Sequence, residues 1–382
     1  MPGARWWFFN AWLYYRKAMI YTALVITNTI PIYAANRLLL LSMALLLSSC
    51  STMSYYSQSI VGHGKLMLAR VPLDKAIESA DEPLKSQLLL SRLLRTFAID
   101  HLGLPSSQSY TRYVPLAREF PVWTVVAASK FSLTPRQWCY PVIGCASYRG
   151  YFDKAAAHRF ARQLRSQGLE THVGGVPAYS TLGWFADPLL PSMMRYGEAE
   201  FAETLFHEIA HQQLYINGDS DFNEAFATIV GETGALRWLQ ANNPAALPAY
   251  RNKQLIQQQF FSLIEKTKQA LQALYHSGKP KLEMLIEKQL VMKQLDEEYE
   301  RLKTEQWNGQ GWYQSWFDEP LNNAKFAALS TYRQRVPELR ALLDQCDQSL
   351  PRFYIALALL TQDYQKVIVP TSCHHSDVTS AS

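Results

Sequence analysis

The chain has 382 residues, of which 48% are hydrophobic, 13% aromatic and only 18% charged, enough for one large domain or two small ones with a well-filled core. Its net charge of +5 comes without a dense Lys/Arg block, so a nucleic-acid partner is not indicated. The chain also lacks a phosphate-binding glycine loop, a G-x-S-x-G nucleophile motif and an internal repeat.

The first predicted element lies outside the fold. Arg37 precedes the apolar run Leu38–Leu47, which ends in the small residues Ser48–Ser49–Cys50. A basic residue, about a dozen apolar residues and a small-residue exit make a secretory signal. Residues 1–36 then read as an upstream extension. The alternative is a membrane anchor that also uses Met19–Ile32, although Asn28 and Pro31 interrupt that stretch. Leu47–Ser48–Ser49–Cys50 resembles the bacterial lipobox, which implies lipidation of Cys50 as the mature N-terminus. Ser51 stands where an aspartate would retain a lipoprotein in the inner membrane, so that resemblance implies the outer membrane, facing the periplasm. An oxidising compartment allows the other cysteines, Cys139, Cys145, Cys346 and Cys373, to pair. Cys139 with Cys145 and Cys346 with Cys373 is one possibility. The absence of a C-x-x-C spacing disfavours a cysteine zinc site.

From residue 51 the mature body begins. Apolar residues at helical spacing predict helices over Leu73–Ala80 and Pro83–Leu104. Val122–Ala128 is apolar and β-branched and reads as a strand, with Tyr140–Ile143 as a possible second. Asp153–Gln167 is an amphipathic helix with Asp153 as N-cap and Gly168 as its stop. Glu170–Ser180 reads as the next strand.

The run Phe206–His207–Glu208–Ile209–Ala210–His211 follows, an H-E-x-x-H motif on a predicted helix. Side chains four apart share a helix face, so His207 and His211 can hold one metal ion. Glu208, near the same face, is placed to act as base toward a water at that metal. Leu205, Phe206, Ile209 and Ala210 make this helix half-buried, where unpaired imidazoles are costly. Asn217–Gly218–Asp219–Ser220–Asp221 reads as a turn with N-cap residues. A second helix resumes at Phe222, which predicts an antiparallel helical hairpin. Its centre falls near Gly218, so Glu224 lies opposite His211 and is the expected third ligand. Glu232 would sit about two turns further along. Thr228 is a candidate to support His207.

Pro244 and Pro248 mark a break. Tyr250–Ser277 and Lys281–Glu305 then predict two long helices joined by Gly278–Lys279–Pro280. Leu255, Ile256, Phe260, Leu263, Ile264, Leu271 and Leu274 form one apolar stripe, and Leu282, Leu285, Ile286, Leu295 and Leu302 the other. Asn322–Asn323–Ala324 opens a last helical region containing Tyr332, and the tail after Val369 reads as disordered. The expected domains are 1–50 (extension and signal), 51–245 (catalytic core), 246–369 (helical region) and 370–382 (tail). The expected fold class is α+β and mainly helical, with a small sheet before the H-E-x-x-H helix and a long C-terminal helical hairpin.

Several blocks carry a resemblance to a known family. They are Trp138–Cys139–Tyr140–Pro141–Val142–Ile143–Gly144, Tyr148–Arg149–Gly150–Tyr151–Phe152, and Ala178–Tyr179–Ser180–Thr181–Leu182–Gly183–Trp184–Phe185 with Asp187–Pro188. The H-E-I-A-H run and Asp221–Phe222–Asn223–Glu224–Ala225–Phe226–Ala227 complete them. Together the blocks resemble a bacterial family of zinc aminopeptidases, gluzincin-like lipoproteins. The resemblance implies a zincin-like metallopeptidase acting on peptides, with one Zn2+ per chain on two histidines and a glutamate. Glu208 would be its general base. Tyr179 and Tyr332 are candidate donors to the oxyanion, and Asn322 or Asn323 could hold substrate backbone. An aminopeptidase also needs an acid for the substrate amine, which Glu203, Glu232 or Asp187 could supply. Two alternatives stay open, an envelope endopeptidase or regulatory protease and a non-catalytic metal-binding lipoprotein.

Overall fold

The computed structural model describes residues 55–140, 144–178, 185–330 and 335–361. Cys50, Tyr179, Tyr332, Cys373 and the tail after Val369 lie outside these residues. The chain divides into two compact units, 1–61 and 62–382. In the first, residues 55–61 are helical. Among the described residues no helix is long and apolar enough to cross a membrane.

The second unit is mainly helical with small sheets, an α+β arrangement. Residues 62–68 are helical, and β1 (Val71–Pro72), α1 (Leu73–Ser79) and α2 (Leu84–Leu102) follow. Gly103, at φ +66, ends α2 in the left-handed region that favours glycine. β1 pairs with β2 (Arg112–Tyr113), and Tyr113 bridges Leu189, so this ribbon fixes the chain shortly before the H-E-x-x-H helix.

The main sheet has three antiparallel strands in the order β6 (Arg149–Tyr151), β3 (Val122–Ala128), β7 (Glu170–Val176). Trp123 faces Tyr151 on one side and Gly175 on the other. β3 is central and buried on both faces, which is why six of its seven residues are apolar. Its Val126 and Ala128 pack on Ala324 and Ala327. A separate two-stranded sheet pairs β4 (Trp138–Tyr140) with β5 (Gly144–Ala146); of the second strand expected at Tyr140–Ile143, Tyr140 ends β4 and residues 141–143 lie outside the described residues. Cys139 and Cys145 lie directly opposite each other there and are disulfide-bonded. The strand beside β3 is β6, only three residues long and too short for a periodic signal. α3 (Lys154–Ser166) links β6 to β7, and its expected N-cap forms, with the Asp153 carboxylate accepting from the Ala156 N–H at 2.5 Å.

Next come α4 (Glu198–Gln213) and α5 (Ser220–Asn242), the hairpin that carries the motif. Beyond a short turn at Pro244–Ala246, α6 (Leu247–Tyr275) and α7 (Lys281–Glu305) form the long helical hairpin. Ile256, Phe260, Leu263, Ile264 and Leu271 of α6 meet Leu295 and Tyr299 of α7. The α7 stripe differs from the expected one. Leu282 and Ile286 are exposed, and Met284, Lys288, Leu295 and Tyr299 are buried. The reason is that this face meets the end of the sheet, where the Lys288 ammonium donates to Glu170 at 2.6 Å and to the Lys130 carbonyl at 3.0 Å. Among the described residues four short helices follow: α8 (Gln314–Phe317), α9 (Asn323–Ser330), α10 (Val336–Gln345) and α11 (Leu350–Thr361).

Candidate metal centre

The two histidines come together because α4 is regular through the motif. Phe206, Ile209 and Ala210 are buried on its core side, which turns His207 and His211 to the opposite edge. Their Nε2 atoms lie 3.2 Å apart. Glu224 reaches the same point from α5, its carboxylate oxygens 3.4 Å from His207 Nε2 and 3.8 Å from His211 Nε2. The three side chains offer one ligand atom each within 4.8 Å of one another, the one such group among the described residues.

Three features of the hairpin bring Glu224 there. Gly218, at φ +85, makes the turn. The Asp219 carboxylate caps α5 by accepting from the Phe222 N–H at 3.0 Å. The Asn223 amide then ties down the incoming chain: its Oδ1 accepts from the Ile216 N–H at 2.8 Å, and its Nδ2 donates to the Ile216 carbonyl at 2.7 Å. Further along, Gly231 lets the helices close up, since a Cβ there would stand 2.7 Å from the Glu203 carbonyl oxygen and 3.2 Å from His207 Cβ. Sequence reasoning missed the roles of Asn223 and Gly231. A glycine inside a helix next to a metal motif is the one signal that pointed to close packing.

The electrostatics follow from burial and crowding. Burial drives the His211 imidazole down to about 4, His207 adds to this, and Glu224 partly opposes it. For His207 burial also lowers the pKa, but Glu224, Glu208 and Glu203 outweigh it and hold the ring above its ordinary value. Burial would raise Glu224, yet the hydrogen bond from His207 and the two imidazoles keep it below the usual carboxylate range. Glu208 goes the other way, raised to about 7 by burial and by its like-charged neighbours Glu224 and Asp187, against the pull of His207. Two imidazole nitrogens and a carboxylate turned inward at one buried point cannot satisfy each other fully, and His211 Nδ1 has no hydrogen-bond partner among the described residues. A cation at that point would satisfy all three inward donors, so the residues present fit a metal with N and O ligands.

Of the other expected site residues, Glu203 and Asp187 act on His207 and Glu208 through their charges, whereas Glu232, Asn322 and Asn323 are held elsewhere. Glu232 is 3% exposed and pairs with Arg340 of α10. Glu203 accepts from the Tyr250 hydroxyl at 2.8 Å and faces Lys253 at 4.0 Å. Asp187 is fully buried and its charge is felt at Glu208. Asn322 and Asn323 make hydrogen bonds within the protein. Asn323 donates to the Ser129 and Lys130 carbonyls at 2.9 and 3.0 Å and accepts from Tyr275 at 2.7 Å, and Asn322 donates to the Thr171 carbonyl at 3.3 Å.

No curated protein and no solved structure matches the chain. The profile of one protein family does, over residues 54–367, which span the sheet, the metal hairpin and the long helical hairpin. The chain therefore belongs to the family described as "Putative aminopeptidase".

Proposed function

We propose that the protein is a zinc-dependent peptidase with a zincin-like site, and that it acts as an aminopeptidase. The observation that carries this reading is the convergence of His207, His211 and Glu224 with Glu208 one residue from the first ligand. When bound, zinc supplies the Lewis acidity that makes a water nucleophilic near neutral pH. His207 and His211 from α4 and Glu224 from α5 would hold the ion, and three protein ligands are the number a catalytic rather than a structural zinc site uses. Glu208 accepts a proton from the attacking water and then delivers it to the leaving amine. Tyr179 and Tyr332 are the proposed oxyanion donors.

The endopeptidase reading keeps one observation in its favour. Glu203 and Glu232, two of the three acids proposed to hold a substrate amine, are engaged inside the protein by Tyr250 and Arg340. We further infer that lipid on Cys50 anchors the protein in the bacterial cell envelope, at the outer membrane facing the periplasm.

The decisive experiment measures zinc content beside hydrolysis of free-amine and amine-blocked peptides. One zinc per chain is expected, lost in His207→Ala and in His211→Ala. Glu208→Gln keeps the metal and loses about 10²–10⁴-fold in rate. Cleavage of blocked peptides alone would turn the assignment to endopeptidase. Wild-type activity in Glu208→Gln would place the base elsewhere. For the anchor, Cys50→Ala is expected to leave the membrane fraction or remain unprocessed, and unchanged behaviour would favour a membrane-spanning N-terminus.

A further inference from the structure

Helix α6 has two faces. One is the apolar stripe that packs on α7. The other is polar and repeats at the same helical period, through Arg251, Gln254, Gln258, Glu265, Lys268 and Gln272. This face forms one wall of a groove of about 1380 Å³. The facing walls are the loop between β3 and β4, the turn and first residues of α5, and the start of α10. The α5 wall includes Asp221, three residues before Glu224, and the groove passes beside the His207–His211–Glu224 group without being lined by it.

The charges in this lining largely cancel. Glu265 pairs with Lys268 at 2.8 Å, Glu232 pairs with Arg340, and Asp219 pairs at 3.1 Å with Arg335 just outside the lining, while Asp221 and Arg251 add one charge of each sign to it. Apart from these charges the groove is faced by amide, hydroxyl and apolar side chains, among them Gln254, Gln257, Gln258, Ser262, Leu255 and Phe131. A glutamine amide offers both donor and acceptor, as a peptide group does. The wall from Arg251 to Gln272 is about 31 Å long at 1.5 Å per helical residue. An extended chain advances about 3.3 Å per residue, so this wall matches about nine residues of strand.

We propose that the groove along α6 is a substrate-binding site for an extended peptide of low net charge, contacting about nine residues through its backbone and apolar side chains. The proposal rests on the peptidase reading and names its substrate class: oligopeptides or unfolded chain ends rather than dipeptides. The internal pairing of the wall's charges leaves little to select acidic or basic side chains, so length rather than sequence is what the groove reads.

The test uses the full-length zinc-loaded protein and a series of neutral, alanine-rich peptides of two, three, five and nine residues. We expect kcat/KM to rise at least tenfold from the shortest to the longest. Gln258→Trp and Ser262→Trp, both at exposed positions of α6, fill the groove and are expected to collapse that ratio, with circular dichroism confirming the fold. Leu290→Ala, on the exposed face of α7, is the control and keeps the ratio. In parallel, anisotropy of a labelled nonapeptide on Glu208→Gln reads binding without turnover, and adding Gln258→Trp is expected to weaken it about tenfold. Hydrolysis with no length dependence, or an unchanged ratio in both tryptophan variants, overturns the groove assignment and leaves the peptidase standing. Length-dependent binding that Gln258→Trp abolishes, with no peptide hydrolysed, supports the groove and removes the peptidase reading. Binding of a neutral cell-wall glycan fragment in place of every peptide overturns the peptide as occupant.

Discussion

The side chain of Asn223 closes a two-bond clip on the backbone of Ile216, at 2.8 and 2.7 Å, seven residues away across the turn of the metal hairpin. The clip fixes where α5 starts relative to the end of α4. Glu224 is the next residue, so the register of the proposed third ligand depends on it. Asn223 is buried at 2% exposure, so water cannot easily replace these bonds.

Asn223→Ala is therefore expected to leave the Ile216 N–H and carbonyl unpaired and to cost about 1–3 kcal/mol of stability. Zinc affinity is expected to fall by at least tenfold, because Glu224 loses its register. Asn223→Asp keeps the acceptor and loses the donor, so it falls between the two. Thermal melts and zinc titration of the three proteins check the order. A destabilised variant with wild-type zinc affinity would show that Glu224 is positioned independently of the clip.

Gly231 makes a second prediction. A methyl group at this position meets the Glu203 carbonyl at 2.7 Å and the backbone of His207 at 3.3 Å, and neither is a flexible side-chain end. Gly231→Ala is expected to push α5 from α4 and cost about 1–3 kcal/mol as an overpacked contact, with weakened zinc binding. Gly234→Ala instead meets the side chains of Phe206 and Leu102 at 2.6 and 2.7 Å. It is expected to destabilise comparably and to spare the metal more. Equal zinc affinity in both variants would deny the His207 contact any special role.

What the sequence disclosed about the site came from periodicity. The four-residue spacing put His207 and His211 on one face, and the near symmetry about Gly218 put Glu224 beside them. Helix boundaries followed from caps such as Asp153 and Asp219, whose bonds are local. The failures share the opposite property. Nothing local marks Asn323 as a buried link between α6 and the sheet, because its partners Ser129, Lys130 and Tyr275 are far away in sequence. The face of α7 was misread because a lysine, Lys288, is what it buries, and apolar periodicity points elsewhere. β6 was missed because three residues carry no period.

That lysine makes the third prediction. Lys288 and Glu170 join α7 to β7, and Glu170 also accepts from the Asn323 N–H at 2.7 Å. The Lys288 side chain is 7% exposed and the Glu170 side chain 20%, so removing the lysine's charge leaves the half-buried Glu170 carboxylate partly uncompensated. Lys288→Met is expected to cost about 3–5 kcal/mol. Lys288→Met with Glu170→Gln removes both charges and is expected to recover much of that loss. Denaturant melts of the two singles and the double give the coupling. Additive losses would mean that the pair does not act as a unit.

The last prediction separates two glutamates on one helix. Glu224 and Glu232 are two turns apart on α5, and each faces a different partner. Glu224 stands 3.4 and 3.8 Å from the Nε2 atoms of His207 and His211, whereas Glu232 is tied to Arg340 on the side toward α10. Glu224→Ala removes one of three proposed protein ligands and is expected to lower zinc affinity by several orders of magnitude. In the metal-free chain its loss removes the hydrogen bond to His207 but also one of the charges that raise Glu208, so the net change in fold stability is expected to be small. Glu232→Ala is expected to behave oppositely. It leaves zinc affinity within a few-fold of wild type and lowers the stability of the metal-free chain by about 1–3 kcal/mol, since Arg340 loses its partner and a cavity opens beside α10. Zinc titration and melting of both variants, each with and without metal, read the two effects separately. Zinc loss in Glu232→Ala with retention in Glu224→Ala would reverse the ligand assignment and require the α4–α5 register to be redrawn.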